Sequence, residues 1–282
     1  MSRTTAPNPW RRNPSRQPTT SGGPILSRRG KTLRLLVVPA AGLGSRLGTT
    51  TPKLLTPVNG RPMIDWLIDL YRAWVDEVIV IVHPSFAAKA RDHVQKLGEE
   101  VHFETQPTPT GMLDAVLLAG DRVRRSDATR VWITWCDQVA IHPKTVARLA
   151  ERSDLHSHAP VVLPVAHRRD PYVHLERDAA GRIVRILHKR EGDAMPDTGE
   201  SDVGLFSLSR DAFLNDLASF VASAGTGGAT GERNFLPFIP WIASRGEIVT
   251  FPCVDAIEAV GVNTPEELQR VESYLSAREM GN

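Results

Sequence analysis

The sequence predicts an α/β protein built around a mostly parallel sheet, and two observations carry that prediction. Short apolar segments alternate with segments of helical periodicity between residues 33 and 135, as they do when crossover helices join parallel strands. The 282 residues are 41% hydrophobic and 23% charged, which is ordinary for a globular chain with a sizeable core. Ligands of such sheets bind beside the carboxyl ends of the strands. We therefore expect the loops after residues 39, 103 and 135 to converge.

The first half of the chain supplies the clearest elements. Residues 33–39 are an apolar run that ends at a glycine-rich loop, which predicts a buried strand. Residues 62–74 have apolar side chains at helical spacing, and Pro62 suits the first turn of that helix. The same criteria predict strands over residues 77–82, 101–103 and 131–135, and helices over residues 84–97 and 112–119.

The pattern becomes mixed from residue 160 onward, where polar turns separate shorter apolar segments. A helix over residues 265–277 follows Asn263 and Thr264, which are suitable capping residues. The glycine-rich residues 225–231 predict a flexible loop. The other elements predicted here are strands over residues 161–165, 182–187 and 203–208, and helices over residues 211–223 and 235–244.

Residues 1–30 are predicted to form a disordered basic tail. They contain five prolines and six arginines, and their apolar surface is too small to offset the entropy of ordering them. A basic arm that binds nucleic acid is the alternative; the sequence disfavours it, and it requires that removal of residues 1–30 abolish such binding. No segment approaches the roughly 20 apolar residues of a membrane helix, and no secretory signal is present. We therefore expect a cytoplasmic protein without a membrane partner.

The cysteines and histidines of the sequence predict neither a disulfide-linked fold nor a metal site. The two cysteines, Cys136 and Cys253, exclude a disulfide scaffold and a CxxC-type zinc site. The nine histidines have no carboxylate at ligand spacing, so we interpret them as surface or packing residues. Cys136, at the end of a predicted strand, is expected to be a small packing residue.

The strongest functional signal lies in residues 39–63, which read Pro-Ala-Ala-Gly-Leu-Gly-Ser-Arg-Leu-Gly-Thr-Thr-Thr-Pro-Lys-Leu-Leu-Thr-Pro-Val-Asn-Gly-Arg-Pro-Met. Glycines allow the backbone to turn tightly and to direct its N–H groups at phosphate oxygens. The loop is expected to contact a nucleotide through Ala40, Ala41, Gly42, Gly44 and Ser45.

Two cations accompany the loop. Arg46 offers a fork of donors and Lys53 a compact charge seven residues later, a combination that suits a nucleoside triphosphate. The loop is neither of two better-known phosphate motifs: Leu47 stands where the Rossmann fingerprint needs its third glycine, and the Gly-Lys-Ser/Thr of the Walker A motif is absent.

Residues 39–63 resemble the signature of the sugar-phosphate nucleotidyltransferases, Gly-x-Gly-Ser/Thr-Arg-Leu followed by Pro-Lys-x-Leu-x-Pro-Val-x-Gly-x-Pro-Met. Residues 106–115 are similar to the base-recognition segment of glucose-1-phosphate thymidylyltransferases. Residues 261–264 are similar to the closing Gly-Val-Asn motif of UDP-N-acetylglucosamine uridylyltransferases. Other segments that agree in order with the family are residues 136–138, 202–206 and 231–246.

The resemblance implies a Rossmann-like three-layer sandwich with a mostly parallel mixed sheet and a small sugar-binding subregion. It implies a single catalytic domain over residues 31–282. Within that domain we expect a nucleotide-binding part at about residues 31–140, a sugar-binding part at about residues 141–262, and a C-terminal helix at about residues 264–277.

The implied reaction is attack of a sugar 1-phosphate on the α-phosphorus of an NTP, with release of pyrophosphate. Positioning and charge compensation dominate such reactions. Arg46 is expected to hold the departing β- and γ-phosphates, and Lys53 the α-phosphate and the incoming phosphate. The expected cofactor is Mg²⁺, with Asp137 at a strand end as one ligand and Asn263, at the family's second metal position, as the other. Asn263 has an alternative role as the cap of the last helix.

Recognition of the two substrates is expected from separate residues. Gln106 can pair with a pyrimidine edge and Gly111 allows close approach of the backbone, which favours UTP or dTTP. The sugar phosphate is assigned to Tyr172, Lys189 and Asp202. Asp202 replaces an asparagine of the family and the family's sugar-binding glutamate is missing near Lys189, which indicates a different polyol or differently oriented hydroxyls.

Two alternatives stay open. One is a cytidylyl- or guanylyltransferase that acts on another phosphorylated polyol or alcohol. The other is a catalytically silent regulatory protein that has kept the nucleotide pocket, although the retained Arg46, Lys53, Asp137 and Asn263 disfavour it. A homo-oligomer is compatible with the sequence, which does not set the number of chains.

Overall fold

The computed structural model describes residues 32–42 and 51–280. The predicted tail, residues 1–30, lies outside these residues. In chain order the described strands are β1 Arg34–Ala40, β2 Pro57–Val58, β3 Arg61–Pro62, β4 Glu77–Val82, β5 His102–Thr105, β6 Arg130–Thr134, β7 Val161–Arg169, β8 Val173–Arg177, β9 Ile183–His188, β10 Thr198–Asp202, β11 Leu205–Ser209 and β12 Ile248–Pro252. The helices are α1 Met63–Tyr71, α2 Pro84–Leu97, α3 Met112–Leu117, α4 Gly120–Arg125, α5 Pro143–Leu155, α6 Leu217–Val221, α7 Phe238–Ala243 and α8 Pro265–Met280.

The main sheet has a parallel half and a mixed half. β1 lies between β4 and β6, and β5 pairs with β4, all in parallel. β11 is antiparallel to both β6 and β7, and β12 is parallel to β7. The short β8–β9 hairpin forms a separate antiparallel pair. The mostly parallel mixed sheet predicted from the sequence is confirmed.

A bulge interrupts the strand that runs beside β7. Val162 and Val165 of β7 pair with β12 on one edge. Since a strand has only two edges, β10 and β11, which pair with the same two residues, both lie on the other edge of β7. Asp202 is opposite Val165 and Ser207 is opposite Val162. Four residues thus lie between Asp202 and Ser207, whereas only two lie between their partners on β7. The two extra residues form the bulge, which bends the strand where its pairing changes from β7 to β6.

Apolar side chains cover both faces of the sheet, and each face packs against helices. On β1, Leu36 and Val38 belong to one core and Leu35 and Val37 to the other, since successive strand residues point to opposite faces. The first core includes residues of α1, α2, α5 and α8, and the second includes residues of α3, α4, α6 and α7. The three-layer sandwich is confirmed.

Several elements differ from the prediction. The helix expected over residues 211–223 begins as a π-helical turn, Ala212–Asp216, before α6, and the helix expected over residues 235–244 is formed only as α7. The sequence did not predict α4, α5, β8, β10 and β12. β10 reads Thr-Gly-Glu-Ser-Asp, and such a polar strand gives no hydrophobic alternation by which to recognise it.

Among the described residues, no helix combines the length and apolarity needed to cross a membrane.

Candidate active site

A cavity of about 380 Å³ opens at the carboxyl ends of β1, β5 and β6. We call it the strand-end cavity. Its lining includes the predicted nucleotide- and metal-binding positions Ala40, Ala41, Gly42, Lys53, Gln106, Gly111, Asp137 and Asn263. The loops that follow β1, β5 and β6 thus converge, as the parallel pattern predicted. Gly44, Ser45 and Arg46 lie outside the described residues, so their predicted roles stay predictions.

Lys53 is positioned by a tight turn that is anchored in the core. The turn, Lys53–Leu55, buries Leu54 and Leu55 completely or nearly so, and the N–H of Leu55 donates to the carbonyl of Pro52 at 2.8 Å. The side chain of Lys53 is only 13% exposed. Burial of two leucines therefore fixes a lysine whose ammonium group faces the cavity.

The ammonium of Lys53 joins two distant segments. It donates to a carboxylate oxygen of Asp137 and, at 2.7 Å, to Oδ1 of Asn263. The Asn263 amide is held by its own donation from Nδ2 to the carbonyl of Gly261 at 3.1 Å. A Cβ on Gly261 would lie 3.0 Å from the Asp137 carboxylate, so only glycine fits without displacement. These contacts direct both side-chain oxygens to one point.

The cap of α8 is provided by other residues. The N–H of Glu267 donates to Oγ1 of Thr264 at 3.3 Å, and a carboxylate oxygen of Glu267 accepts from the N–H of Asn263 and of Thr264. This reciprocal arrangement is a capping box. Because Thr264 caps the helix, the side chain of Asn263 is not used as the cap and instead lines the cavity, where it contacts Lys53.

The donor set of Asp137 and Asn263 fits a magnesium ion. Their two oxygens already converge on a cationic atom, the Lys53 ammonium. Magnesium takes one or two protein oxygens and completes its shell with water and substrate phosphate oxygens. No group of three or more histidine, cysteine or acidic side chains in the described part of the chain could hold a metal.

The loop after β5 is fixed against the segment that precedes α7. Nε2 of Gln106 donates to the carbonyl of Gly111 at 3.1 Å. Arg233 donates its N–H to Thr110 and accepts from the N–H of Leu113, at 2.8 and 3.0 Å. A Cβ on Gly111, whose φ is +129°, would lie 2.3 Å from the Arg233 carbonyl oxygen. The glycine is thus required by the approach of Arg233, a reason that the sequence did not reveal.

A second cavity, of about 320 Å³, lies next to the first. We call it the hairpin cavity, because residues of the β8–β9 hairpin, Val173 and His188, line it. Residues common to the two cavities include Met112, Trp135, Asp137, Arg190, Glu232 and Asn263. The predicted residues Tyr172 and Asp202 also line the hairpin cavity. Two ligands, one in each cavity, would therefore meet at Asp137.

Lys189 lines neither cavity, so the structure does not bring it together with the other predicted substrate-binding residues, and its contact with phosphate stays a prediction. Its ammonium pairs with Asp170 at 2.8 Å, and both side chains are at least half exposed. Arg190 lines both cavities instead and forms a two-point pair with Glu232, at 3.1 and 3.3 Å. Lys189, Arg190 and Glu191 form a single 3₁₀ turn, in which successive side chains point about 120° apart. In this turn the Lys189 side chain extends toward Asp170, whereas the Arg190 side chain extends toward Glu232.

Asp202 lies at the start of the bulge between β10 and β11. The N–H of Gly204 donates to its Oδ2 at 2.8 Å. Burial raises the pKa of Asp202 to about 6, an effect that the Gly204 hydrogen bond opposes and the nearby Asp137 charge reinforces. The bulge thus places a carboxyl group that is easily protonated in the hairpin cavity.

Two further side chains have titration properties set by burial. The pKa of the Cys136 thiol is raised to about 12 by burial, so the thiol stays protonated and Cys136 is a packing residue as predicted. Burial lowers the pKa of His188, whose Nδ1 lies 3.1 Å from Nδ2 of Asn234. A neutral His188 can accept that hydrogen bond.

Comparison with known proteins agrees with this architecture. The family model of the MobA-like NTP transferase domain matches residues 36–200. Among curated proteins, the bifunctional protein GlmU of Brevibacillus brevis is 27% identical over 249 residues, which is 86% of this chain and 52% of that protein. GlmU of Burkholderia pseudomallei strain K96243 is 29% identical over 243 residues, 84% of this chain and 51% of that protein. The chain spans about half the length of these relatives.

A solved structure shares the fold. It is described as CMP:2-keto-3-deoxy-manno-octonic acid synthetase complexed with CTP, and it superposes with a TM-score of 0.64 at 20% sequence identity. The superposition covers 88% of this chain and all of that one. Since the family model covers more than half of the sequence, this chain belongs to the family of MobA-like NTP transferase domains.

Proposed function

We propose that the protein is a nucleotidyltransferase that joins an NTP to a phosphorylated polyol, with a sugar 1-phosphate as the first candidate. One observation carries the proposal: Lys53, Asp137 and Asn263 meet at the boundary of two adjoining cavities. Two anionic substrates that react with each other need two adjoining sites and positive charge between them. The family supports the NTP as one of the two substrates.

In the proposed reaction, a phosphate oxygen of the acceptor attacks the α-phosphorus of the NTP. A new P–O bond forms, the bond from the α-phosphorus to the bridging oxygen breaks, and pyrophosphate leaves with that oxygen. Lys53 would compensate the negative charge where the two phosphates approach, as a cation that the buried turn Lys53–Leu55 holds beside the cavity. Its two oxygen contacts would loosen as phosphate oxygens take their place.

Arg190 is the residue that we assign to the acceptor phosphate, in place of Lys189. Its guanidinium lines both cavities and is held in the two-point contact with Glu232. A guanidinium that binds a carboxylate with two parallel donors can bind a phosphate in the same geometry. Glu232 would then keep the site neutral before the acceptor arrives.

Asp137 and Asn263 would hold a Mg²⁺ ion through one carboxylate and one amide oxygen. When bound, the ion would supply neutralisation of charge on the phosphate oxygens. The chain's own contribution is to bring the oxygens of Asp137 and Asn263 together from distant parts of the sequence, through the glycine at position 261 and the cap of α8.

Gln106 supports a pyrimidine nucleotide. One of its amide hydrogens is used by the Gly111 carbonyl, which leaves a second N–H and the oxygen Oε1 for a base edge. An amide oxygen accepts from the imide of uracil or thymine and also from the amino group of cytosine. UTP and dTTP therefore remain our first candidates, and CTP, the nucleotide named with the similar structure, is the second.

The deciding experiment is a pyrophosphate-release screen with the full-length protein. Each of UTP, dTTP, CTP, GTP and ATP is combined with a panel of sugar 1-phosphates and polyol phosphates in the presence of Mg²⁺. We expect one pyrimidine nucleotide and one acceptor class to give turnover. Nucleotide binding without pyrophosphate release from any pair would instead identify a silent regulatory protein.

A further inference from the structure

Gln138 is a buried polar residue to which the proposed reaction gives no role. It directly follows Asp137, is 7% exposed, and lines the hairpin cavity. Its side-chain oxygen Oε1 is fully buried and has no hydrogen-bond partner among the described residues. Buried side-chain amides are nearly always hydrogen-bonded, because loss of hydration is otherwise uncompensated. An amide left in this state at a cavity wall is suited to a ligand.

Gln138 and Asp202 lie against the same glycine. A Cβ on Gly204, whose φ is +68°, would be 2.6 Å from Cγ of Gln138. The N–H of Gly204 donates to the carboxylate of Asp202. The bulge thus sets a buried amide beside a buried carboxyl group, and both side chains line the hairpin cavity.

The other acidic groups of this wall already have protein partners. Glu191 accepts from the hydroxyl of Thr230 at 2.7 Å, and Glu232 is paired with Arg190. Among the described residues that line the hairpin cavity, Gln138 alone has a fully buried side-chain polar atom without a hydrogen-bond partner.

We propose that Gln138 determines acceptor specificity by hydrogen bonding to a hydroxyl group of the acceptor phosphate, next to Asp202. A hydroxyl has one hydrogen and two lone pairs, so it can either donate to Oε1 of Gln138, or accept from Nε2 and donate to the carboxylate of Asp202. An apolar group would leave the amide unpaired, a quaternary ammonium has no hydrogen to donate, and a second anionic group would be repelled by Asp202. This inference rests on the proposed function, because it assumes that the hairpin cavity receives the acceptor.

The test measures binding separately from turnover. Isothermal titration calorimetry with the full-length protein uses glucose 1-phosphate, galactose 1-phosphate, mannose 1-phosphate and N-acetylglucosamine 1-phosphate. The most tightly bound compound is then compared with its single-deoxy analogues. We expect one analogue to bind about tenfold more weakly to the wild type. This part needs no variant.

The variant Gln138→Met removes the amide and keeps the volume. It should bind the parent compound about tenfold more weakly. It should bind the parent and the deoxy analogue that the wild type disfavours with equal affinity, because the variant no longer forms the hydrogen bond that the analogue lacks. Its melting temperature should equal or exceed that of the wild type, since an unpaired buried amide is removed. The control Gln95→Met makes the same change at an exposed position of α2 and should bind like the wild type.

Three results would overturn the assignment: no binding of any of these compounds, unchanged binding by Gln138→Met, or equal losses for every deoxy analogue in wild type and variant. Failure of the proposed function has a different signature. If these compounds bind, and bind more weakly to Gln138→Met, but no nucleotide gives pyrophosphate release with them, the reaction is wrong and the assignment of Gln138 stands.

Discussion

Lys53 and Asn263 are separated by 210 positions in the sequence and by 2.7 Å between Nζ and Oδ1. The contact closes the domain, because it joins the loop after β1 to the residue that precedes the C-terminal helix. It also joins an amide oxygen to the cation that Asp137 holds. The position of the Lys53 ammonium group therefore depends on the packing of both ends of the domain.

Lys53→Ala should lower kcat/KM by about 10²–10³, because it removes a fixed donor from the point where phosphate charge increases. Steady-state pyrophosphate release measures the effect. The matched control is Lys89→Ala on the exposed side of α2, for which we expect no change. Wild-type turnover by Lys53→Ala would remove Lys53 from the mechanism.

Asp137→Asn should lower activity by at least about tenfold and raise the Mg²⁺ concentration that gives half of the maximal rate. The charge of the only carboxylate in the proposed ligand set is lost, while the amide of Asn263 remains. A magnesium titration of the initial rate checks this. Asp127→Asn, at an exposed position, is the control, and an unchanged magnesium requirement in Asp137→Asn would contradict the proposed site.

Arg190→Ala and Lys189→Ala form a matched pair of neighbouring substitutions. Arg190→Ala should raise the KM for the acceptor by about tenfold or more, because a two-point contact with phosphate is lost, while the KM for the nucleotide changes less. Lys189→Ala removes an exposed pair with Asp170 and should leave both constants unchanged. A raised KM for the acceptor in Lys189→Ala, with no change in Arg190→Ala, would instead favour the sequence-based prediction that Lys189 binds the acceptor phosphate.

Asp202→Asn should change how stability depends on pH. Burial raises the pKa of Asp202 from 3.8 to about 6, so the folded state binds more protons than the unfolded state between these values. The contribution of Asp202 to stability is therefore present below about pH 4 and is lost as pH rises to about 6. A difference of about two pKa units corresponds to roughly 3 kcal/mol.

Urea unfolding of wild type and Asp202→Asn at several pH values between 4 and 7 measures this contribution. The stability of the variant relative to the wild type should increase from pH 4 to about pH 6 and then level off. A relative stability that does not vary with pH would show that the pKa of Asp202 is ordinary.

Gly111→Ala should destabilise the protein by at least about 2 kcal/mol, since its φ of +129° disfavours a side chain and the new Cβ would collide with the backbone of Arg233. Gly225→Ala, where no atom lies within 4 Å of the added Cβ, is the control and should be nearly neutral. Urea unfolding of both variants provides the comparison. Equal stability of the two would mean that Arg233 moves away easily.

The sequence predicts the parallel half of the sheet well, because β1, β4 and β6 are buried on both faces and give nearly continuous apolar runs. β5, at the edge of the sheet, is partly exposed. Convergence of the loops that contain Gly42, Gln106 and Asp137 follows from strand direction alone. The contact of Lys53 with Asn263 does not follow, because no local pattern relates residues so far apart. Their assignment to one site needed the resemblance to a family.

The acceptor side was less predictable for physical reasons. The sequence contains Lys189 and Arg190 side by side, and only the folded structure shows that Arg190 lines a cavity and Lys189 does not. The sequence did not predict β10 because the strand is polar: Ser201 and Asp202, for example, line the hairpin cavity. Gln138 gives no signal at all, since a buried unpaired amide is recognised only when its surroundings are known.

The two-residue length of the bulge between β10 and β11 has a consequence for how this site can change. Strand side chains alternate with a period of two, so an even insertion keeps Asp202 on the same face as Phe206 and Leu208 of the second core. Removal of Val203 alone would turn one part of the strand over and expose apolar side chains. Removal of Val203 and Gly204 together would straighten the strand and keep the side chains of β10 and β11 on their present faces. The wall of the hairpin cavity could therefore change in length by two residues at a time without moving core side chains to the opposite face of the sheet.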